Sequence, residues 1–466
     1  MRLVLGIALL LLAGCVAPAA VHPASDAVTD VEARASAVIQ QSHDHADAKA
    51  HALAVNVREL GHAVGFNEKI PDGAVYGEEV VKGGFTFLVY ENKPGPVATV
   101  ESGFFVFNTS DPENPRVIAN VPTQASGADI DVSDDGHWLF LSTQRNGYPY
   151  TESVSASNGP EGEFPRGTYI YDITDKAHPK FESFNPLPPN GPHTITYYND
   201  HGRELLLENT YDILFTVYPQ NVGQNQLSQK TVITELTTTP TGQHVLKPLA
   251  IYQRLVPDDA DHQRFPHDAF LAENPITHTL VMYVAYWDTG MVLVDMSDPS
   301  NPKELSTFAD VAPSHLVHAH SVKPFPALVG GKVVAVIEPE IPTGDETSQF
   351  TFVDVTDPAH PQKLGYWKIP GNLTVDSPFI FSPHNFDTRV APDGRALVAL
   401  SHNYGGLWVL DATDPTSPRA IAFYQSDDSE RANRPVNPGF GTVFFQGEDL
   451  VAPEYDTGLY TLALVR

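Results

Sequence analysis

The sequence predicts an all-β protein, a seven-bladed β-propeller of four-stranded antiparallel blades. Three observations predict it. A strand-turn-strand motif recurs along the chain: FVFNTSDPENPRVI at 105, YIYDITDKAHPKFE at 169, VLVDMSDPSNPKELSTF at 292, FVDVTDPAHPQKLG at 352 and WVLDATDPTSPRAI at 408. Two further strand-like runs precede each copy, split by a short turn such as PDG at 392–394, which gives the strand content of one blade. Finally, residues 437–466 hold only three strand-like runs, and AVNVRELGHAV at 54–64 is a strand without a unit of its own.

Each element of the repeat has a local cause. The apolar run supplies a strand. The Asp-Pro that follows, with a second Pro three residues on, forces a turn, because proline fixes φ, lacks a donor and pushes its predecessor out of the α region. KELSTF, QKLGYW and RAIAFY then return as outer strands. Counting units places blades at about 70–122, 128–187, 193–253, 267–309, 320–369 and 384–425, the third with a degenerate hairpin, TVITELTTTPTGQHVLKPLAIYQ. The seventh blade, 437–466, is closed if residues 54–64 pair with its C-terminal strands, which leaves no sheet edge open. Asp298, Asp357 and Asp414 are read as turn formers.

The copies resemble the LVIVD-repeat family, β-propeller proteins of bacteria and archaea whose unit ends in an apolar run, Asp and a Ser/Thr-Asp-Pro-x-x-Pro turn. The resemblance covers most of residues 54–466. It departs at the second copy, with Asp175-Lys176 in place of Asp-Pro, and at the third, which has lost the turn. It implies the fold and leaves the activity open.

The N-terminus, MRLVLGIALLLLAGC, has one Arg and a short apolar run from Leu3 to Leu12. That is the layout of a secretion signal and too short for a permanent span. LAGC resembles the lipobox of bacterial lipoproteins, and Cys15 is the chain's only cysteine, so it cannot close an internal disulfide. The expected organisation is a signal peptide over 1–14, a lipidated Cys15 and tether over 15–50, and the propeller over 51–466. Lipid chains would hold the protein on a bacterial membrane. The lipoprotein resemblance implies that Val16, rather than Asp, after the cysteine would send the protein to the outer membrane, in an organism that has one, on its periplasmic or surface side. His43, His45 and His51 fall in this stretch and are read as solvated linker, with metal scavenging as the alternative.

With 28 basic against 57 acidic side chains, a formal charge of −29, the surface repels phosphate backbones, and nucleic acid is not an expected partner. There is no GxSxG, P-loop, HExxH, CxxC, or GxGxxG after a strand. Serine-hydrolase, nucleotide-binding and thiol chemistry are therefore disfavoured. A monomer is expected.

The chemistry is sought where the scaffold does not dictate the residue. The first strands of four consecutive blades begin GPHTI, FPHDA, HAHSV and SPHNF, which places His193, His267, His320 and His384 in one register. Innermost strands line the central channel, so these imidazoles should converge at one mouth and could bind copper, zinc, iron or manganese. His318 is a weaker candidate. A second register, on the next strand, holds Glu208, Glu338, His402 and Glu454, with Tyr286 in the fourth blade. These carboxylates and the imidazole could ligate a metal, orient a ligand or act as acid and base. Two readings stand: a channel mouth that binds a metal or small ligand, with metal-assisted enzymatic activity, loosely analogous to the seven-bladed methanethiol oxidases of the selenium-binding family; or a surface scaffold that grips a protein or glycan, its His ring structural.

Overall fold

A computed structural model describes residues 25–39, 52–66, 74–92, 102–123, 127–144, 166–188, 190–211, 229–255, 264–309, 318–340, 349–369, 382–403, 405–426 and 439–465. Cys15, the signal segment, His43, His45 and His51 lie outside these residues. Seven antiparallel sheets form a ring. In chain order they are blade one, β3 (Ala74–Lys82), β4 (Phe85–Asn92), β5 (Ser102–Asn108) and β6 (Arg116–Thr123); blade two, β7 (Gly127–Val132), β8 (Trp138–Thr143), β9 (Gly167–Asp172) and β10 (Lys180–Pro186); blade three, β11 (Thr194–Asp200), β12 (Arg203–Thr210), β13 (Lys230–Thr238) and β14 (His244–Tyr252). Blade four is β15 (Asp268–Glu273), β16 (Leu280–Ala285), β17 (Met291–Asp295) and β18 (Lys303–Phe308); blade five, β19 (Ala319–Pro324), β20 (Val334–Pro339), β21 (Gln349–Asp354) and β22 (Gln362–Lys368); blade six, β23 (Ser382–Val390), β24 (Ala396–Asn403), β25 (Leu407–Asp411) and β26 (Arg419–Gln425). The degenerate third unit thus keeps its hairpin.

Blade seven is completed from both ends of the chain. β27 (Phe444–Gln446), β28 (Asp449–Glu454) and β29 (Gly458–Leu464) come from the C-terminus, and β2 (Val57–Ala63) pairs antiparallel with β29, Val57 opposite Leu464. A shorter strand just before it, β1 (Leu53–Val55), adds to the outer edge of blade six instead, pairing with β26. The chain passes between blades at Asn56, whose φ of 57° suits a residue that tolerates the left-handed region. Its side-chain amide donates to the Ile421 carbonyl at 2.8 Å, fixing the crossing.

The central strands of a blade are covered on both faces by neighbouring blades, which is why β16 (LVMYVA) reads as an unbroken apolar run, buried throughout. Core side chains gather into one cluster at each interface between adjacent blades. The Asp-Pro turns are held by two successive side-chain bonds. Asp295 Oδ1 accepts the Ser297 N–H at 2.8 Å and Asp298 Oδ1 accepts the Ser300 N–H at 3.1 Å. Asp354/Asp357 and Asp411/Asp414 repeat the pattern. In the divergent second copy, the Lys176 ammonium donates to the carbonyls of Gly136 and Ile173 at 2.6 and 2.8 Å. A residue without proline's fixed φ is thereby tied down by its side chain. The outer strand of blade seven passes so close to the first blade's turn that a Cβ on Gly61 would stand 2.7 Å from the Pro112 carbonyl oxygen, so only glycine fits.

Within the span 15–50 that composition assigns to a tether, Ser25–Ile39 form a helix, α1. Val31 and Ala35, one turn apart, are buried in the cluster between blades five and six. Glu32 Oε1 accepts the Trp367 indole N–H at 3.0 Å and the Ala420 N–H at 3.3 Å. The middle of that segment is therefore docked on the ring.

Candidate metal centre at the channel mouth

The four register histidines come together. Ring centroids are 4.7 Å apart for His193–His267, 4.2 Å for His267–His320 and 4.6 Å for His320–His384, a continuous arc across blades three to six. All four line one cavity of about 200 Å³. Local backbone irregularity aims some of the side chains. The pairing of β19 with β20 shifts between Ala319 and Ser321, and that of β23 with β24 between Pro383 and Phe386, so His320 and the His384-Asn385 pair sit on bulges. Blades one and two bulge at the same level, at Gly77-Glu78 and Ala128-Asp129.

Each imidazole is anchored through Nδ1. The acceptors are Gln144 Oε1 for His193 at 2.9 Å, the His320 carbonyl for His267 at 3.0 Å, Glu338 Oε2 for His320 at 2.8 Å and the Gly441 carbonyl for His384 at 2.6 Å. A carbonyl oxygen only accepts, so Nδ1 carries a proton in both His267 and His384, and Nε2 keeps its lone pair in His267 and in the neutral form of His384. This is the arrangement that fixes the tautomer of a metal-ligating histidine. His267, His320 and Glu340 each offer a ligand atom, and these atoms all lie within 4.8 Å of one another.

Protonation suits that role. Burial, reinforced by neighbouring imidazoles, pushes His267 and His320 well below the ordinary histidine value, and burial with His384 holds His193 down to about 3. His384 differs: burial opposes its charged form, but Glu78, Glu340 and the Gly441 carbonyl more than offset this and raise it. Burial also raises Glu340, against the pull of His384 and His318. At neutral pH three of the imidazoles are thus neutral donors.

Below the histidines the innermost strands carry acids that the register analysis missed: Glu78 on β3, Asp129 and Asp131 on β7, Asp268 on β15 and Asp387 on β23, with Lys323 on β19 among them. Several are inter-blade staples. Asp129 Oδ2 accepts the Ile195 N–H at 2.8 Å, Asp131 Oδ2 the Tyr197 N–H at 2.6 Å, and Asp387 Oδ2 the Phe445 N–H at 3.0 Å. An innermost strand has no partner on its channel side, so its N–H groups need such acceptors. Burial, then Glu78 and Asp268, raises Asp129 well above the usual range, and burial raises Asp131 to about 6.

The second register does not form a ring around this cavity. Only Glu338 meets the histidines, through His320; its other oxygen, Oε1, is buried without a hydrogen-bond partner among the described residues. Glu208 faces the neighbouring blade and accepts from Thr168 Oγ1 at 2.6 Å. His402 Nδ1 bonds the Asn403 carbonyl at 2.6 Å. Glu454 caps a loop, accepting from the N–H groups of Gly439 and Asp456 and from Thr457 Oγ1. All three are fully buried, because a second strand is covered on both faces. His318 stands outside the arc, paired with Asp288 at 3.1 Å and against the Trp287 ring.

Glu208 gives a pH prediction. Burial raises its pKa to about 7, against 4.5 for an exposed glutamate. A folded-state pKa above the unfolded one stabilises below pH 4.5, and this is lost as pH rises to about 7, with a total on the order of 3 kcal/mol. Glu208→Gln keeps an acceptor for Thr168 and removes the titration. The variant should match wild type in urea unfolding at pH 4.5 and gain on it through pH 7; parallel curves would refute the assignment.

The model of the LVIVD repeat matches residues 282–310. No curated protein matches the chain. Among solved structures it is similar to Sqt1 of Saccharomyces cerevisiae, at 10% identity over 86% of this chain and 84% of that one, with a TM-score of 0.49. It is also similar to the periplasmic gluconolactonase PpgL of Pseudomonas aeruginosa, at 11% identity over 82% and 88%, TM-score 0.49, and to a protein from Lactobacillus plantarum, at 12% identity over 82% and 89%, TM-score 0.46. The chain is thus a seven-bladed β-propeller that carries an LVIVD repeat at residues 282–310, in blade four.

Proposed function

We propose that this protein is an extracytoplasmic, lipid-anchored propeller that holds a transition-metal ion at its channel mouth and uses it on a small molecule. The observation that carries the reading is the set of four convergent histidines, each held through Nδ1 by an internal acceptor. His267, His320 and Glu340 would hold the ion, with His193 and His384 beside them. Imidazole and carboxylate suit copper, zinc, iron or manganese, and the buried Glu338 Oε1, without a hydrogen-bond partner among the described residues, fits a site built for a further positive charge. Such an ion supplies Lewis acidity or an activated water. The chain's own contribution is to keep three imidazoles neutral, to orient them, and to place His384, the more basic one, where it can hold or release a proton. Metal analysis of protein purified without a His tag tests this: a stoichiometric metal supports it, and a metal-free, folded protein in metal-supplemented medium refutes it.

Anchoring is tested separately. Cys15→Ala should move the protein from the membrane to the soluble fraction, since lipid at Cys15 is the proposed anchor. No helix among the described residues is long and apolar enough to cross a membrane. Fractionation that leaves the variant in the membrane would rule the lipid out as the sole anchor.

A further inference from the structure

The chamber under the histidines is acidic on most sides. Glu78, Asp129 and Asp268 come from three different blades and line the same cavity, and Lys323 is the one lysine or arginine lining it among the described residues. That lysine is already engaged: its ammonium donates to the Phe386 carbonyl at 3.2 Å and lies over the rings of Phe386 and Phe444. A second observation is independent of the cluster. Glu79, 3% exposed and lining the cavity, has no hydrogen-bond partner for either carboxylate oxygen among the described residues. An unmet buried carboxylate is costly, and a positive charge placed nearby would relieve it.

We propose that the chamber receives the cationic head of a small organic ligand, an ammonium group seated among Glu78, Asp129 and Asp268, with the rest of the molecule towards the histidines. The inference names the substrate class of the proposed metal site and rests on that reading for its function; binding of the cation does not require the metal. Burial holds protons on acids such as Asp129 until a cation arrives to favour the charged form, whereas an anion opposes that charge further. The volume of about 200 Å³ limits the ligand to a small molecule.

An isosteric series tests charge with shape held constant: tert-butylammonium, tert-butanol and pivalate, titrated calorimetrically into the full-length protein, metal-stripped and metal-loaded. The ammonium should bind at least tenfold more tightly than the alcohol, and pivalate should not bind, in both forms of the protein. Glu78→Gln and Asp129→Asn should each weaken the ammonium about tenfold with the alcohol unchanged. The Asp129 variant gives up an inter-blade acceptor, so Glu78→Gln is the test that stands if it fails to fold. Equal binding of ammonium and alcohol, binding of pivalate, or Ca²⁺ binding with the ammonium silent would each overturn the proposal. A preference for ammonium in protein that never takes up a metal would leave the chamber intact and sink the metal reading alone.

Discussion

Changing His267 and His320 together to alanine is expected to abolish retention of the proposed ion, one per chain in the unaltered protein. The two rings pack at 4.2 Å, and their ligand atoms with that of Glu340 all lie within 4.8 Å of one another. Two of three ligands would be lost, so residual binding should fall below detection in elemental analysis after dialysis. Glu338→Gln is the graded companion. It leaves every ligand in place but replaces the carboxylate that holds His320 Nδ1 at 2.8 Å, and such orienting partners are worth roughly 10–100-fold in metal affinity. His193 lies outside the group of three, so His193→Ala should cost less than the double change. Acidification should release the ion as Glu340, raised by burial, takes up its proton, while the depressed imidazoles compete little at that pH. Circular dichroism must show the ring folded in each variant. Full metal retention by the double variant, with its β-sheet signal intact, would move the site elsewhere.

How much of this was legible in the sequence depends on which physical rule sets each position. The blades were legible because Asp-Pro-x-x-Pro is a local device: Asp298 and Asp295 bond their own neighbours two residues on, so the signal needs no distant partner. The four histidines were legible through register alone, since rotation about the ring axis places equivalent residues at one height. The second register failed at Glu208, His402 and Glu454 because counting along a strand does not reveal whether the neighbouring blade offers an acceptor or a cavity. Thr168 already occupies the first of these carboxylates. Glu340 was passed over although it lies two residues from Glu338, where alternation puts it on the same side of the chain. The acids at Glu78 and Asp129 were hidden by bulges, which break the period-two pattern where the side chains turn inwards. Helix α1 was masked by its alanines, since in SDAVTDVEARASAVI the buried pair Val31 and Ala35 barely stands out from its surroundings.

Deleting residues 54–62 should destabilise the whole ring. The deletion removes all but Ala63 of β2, which pairs with β29 from Val57 to Ala63, and most of β1, which covers the outer edge of blade six from Leu53 to Val55. Val55 and Val57 are buried, in the clusters that join blades five to six and six to seven. Ladder hydrogen bonds at about 1 kcal/mol each and buried apolar side chains at about 1.5–3 kcal/mol each put the loss on the order of 5–10 kcal/mol. That is comparable to the stability of a typical domain. A closed ring has no spare contacts: opening blade seven exposes β29 and weakens its packing on blade one, so unfolding should shift as a single transition and aggregation through the exposed edge should follow. A permutant separates closure from generic damage. Val57 stands opposite Leu464, and the Val465 N–H already bonds the Asn56 carbonyl at 2.9 Å. Residues 56–64 moved behind Arg466 through a short turn can therefore re-form the same hairpin within one contiguous blade. The permutant should recover most of the lost melting temperature, less the share that belonged to β1. A truncation that melts like the intact protein, or a permutant no better than the truncation, would show that this strand does not close the ring.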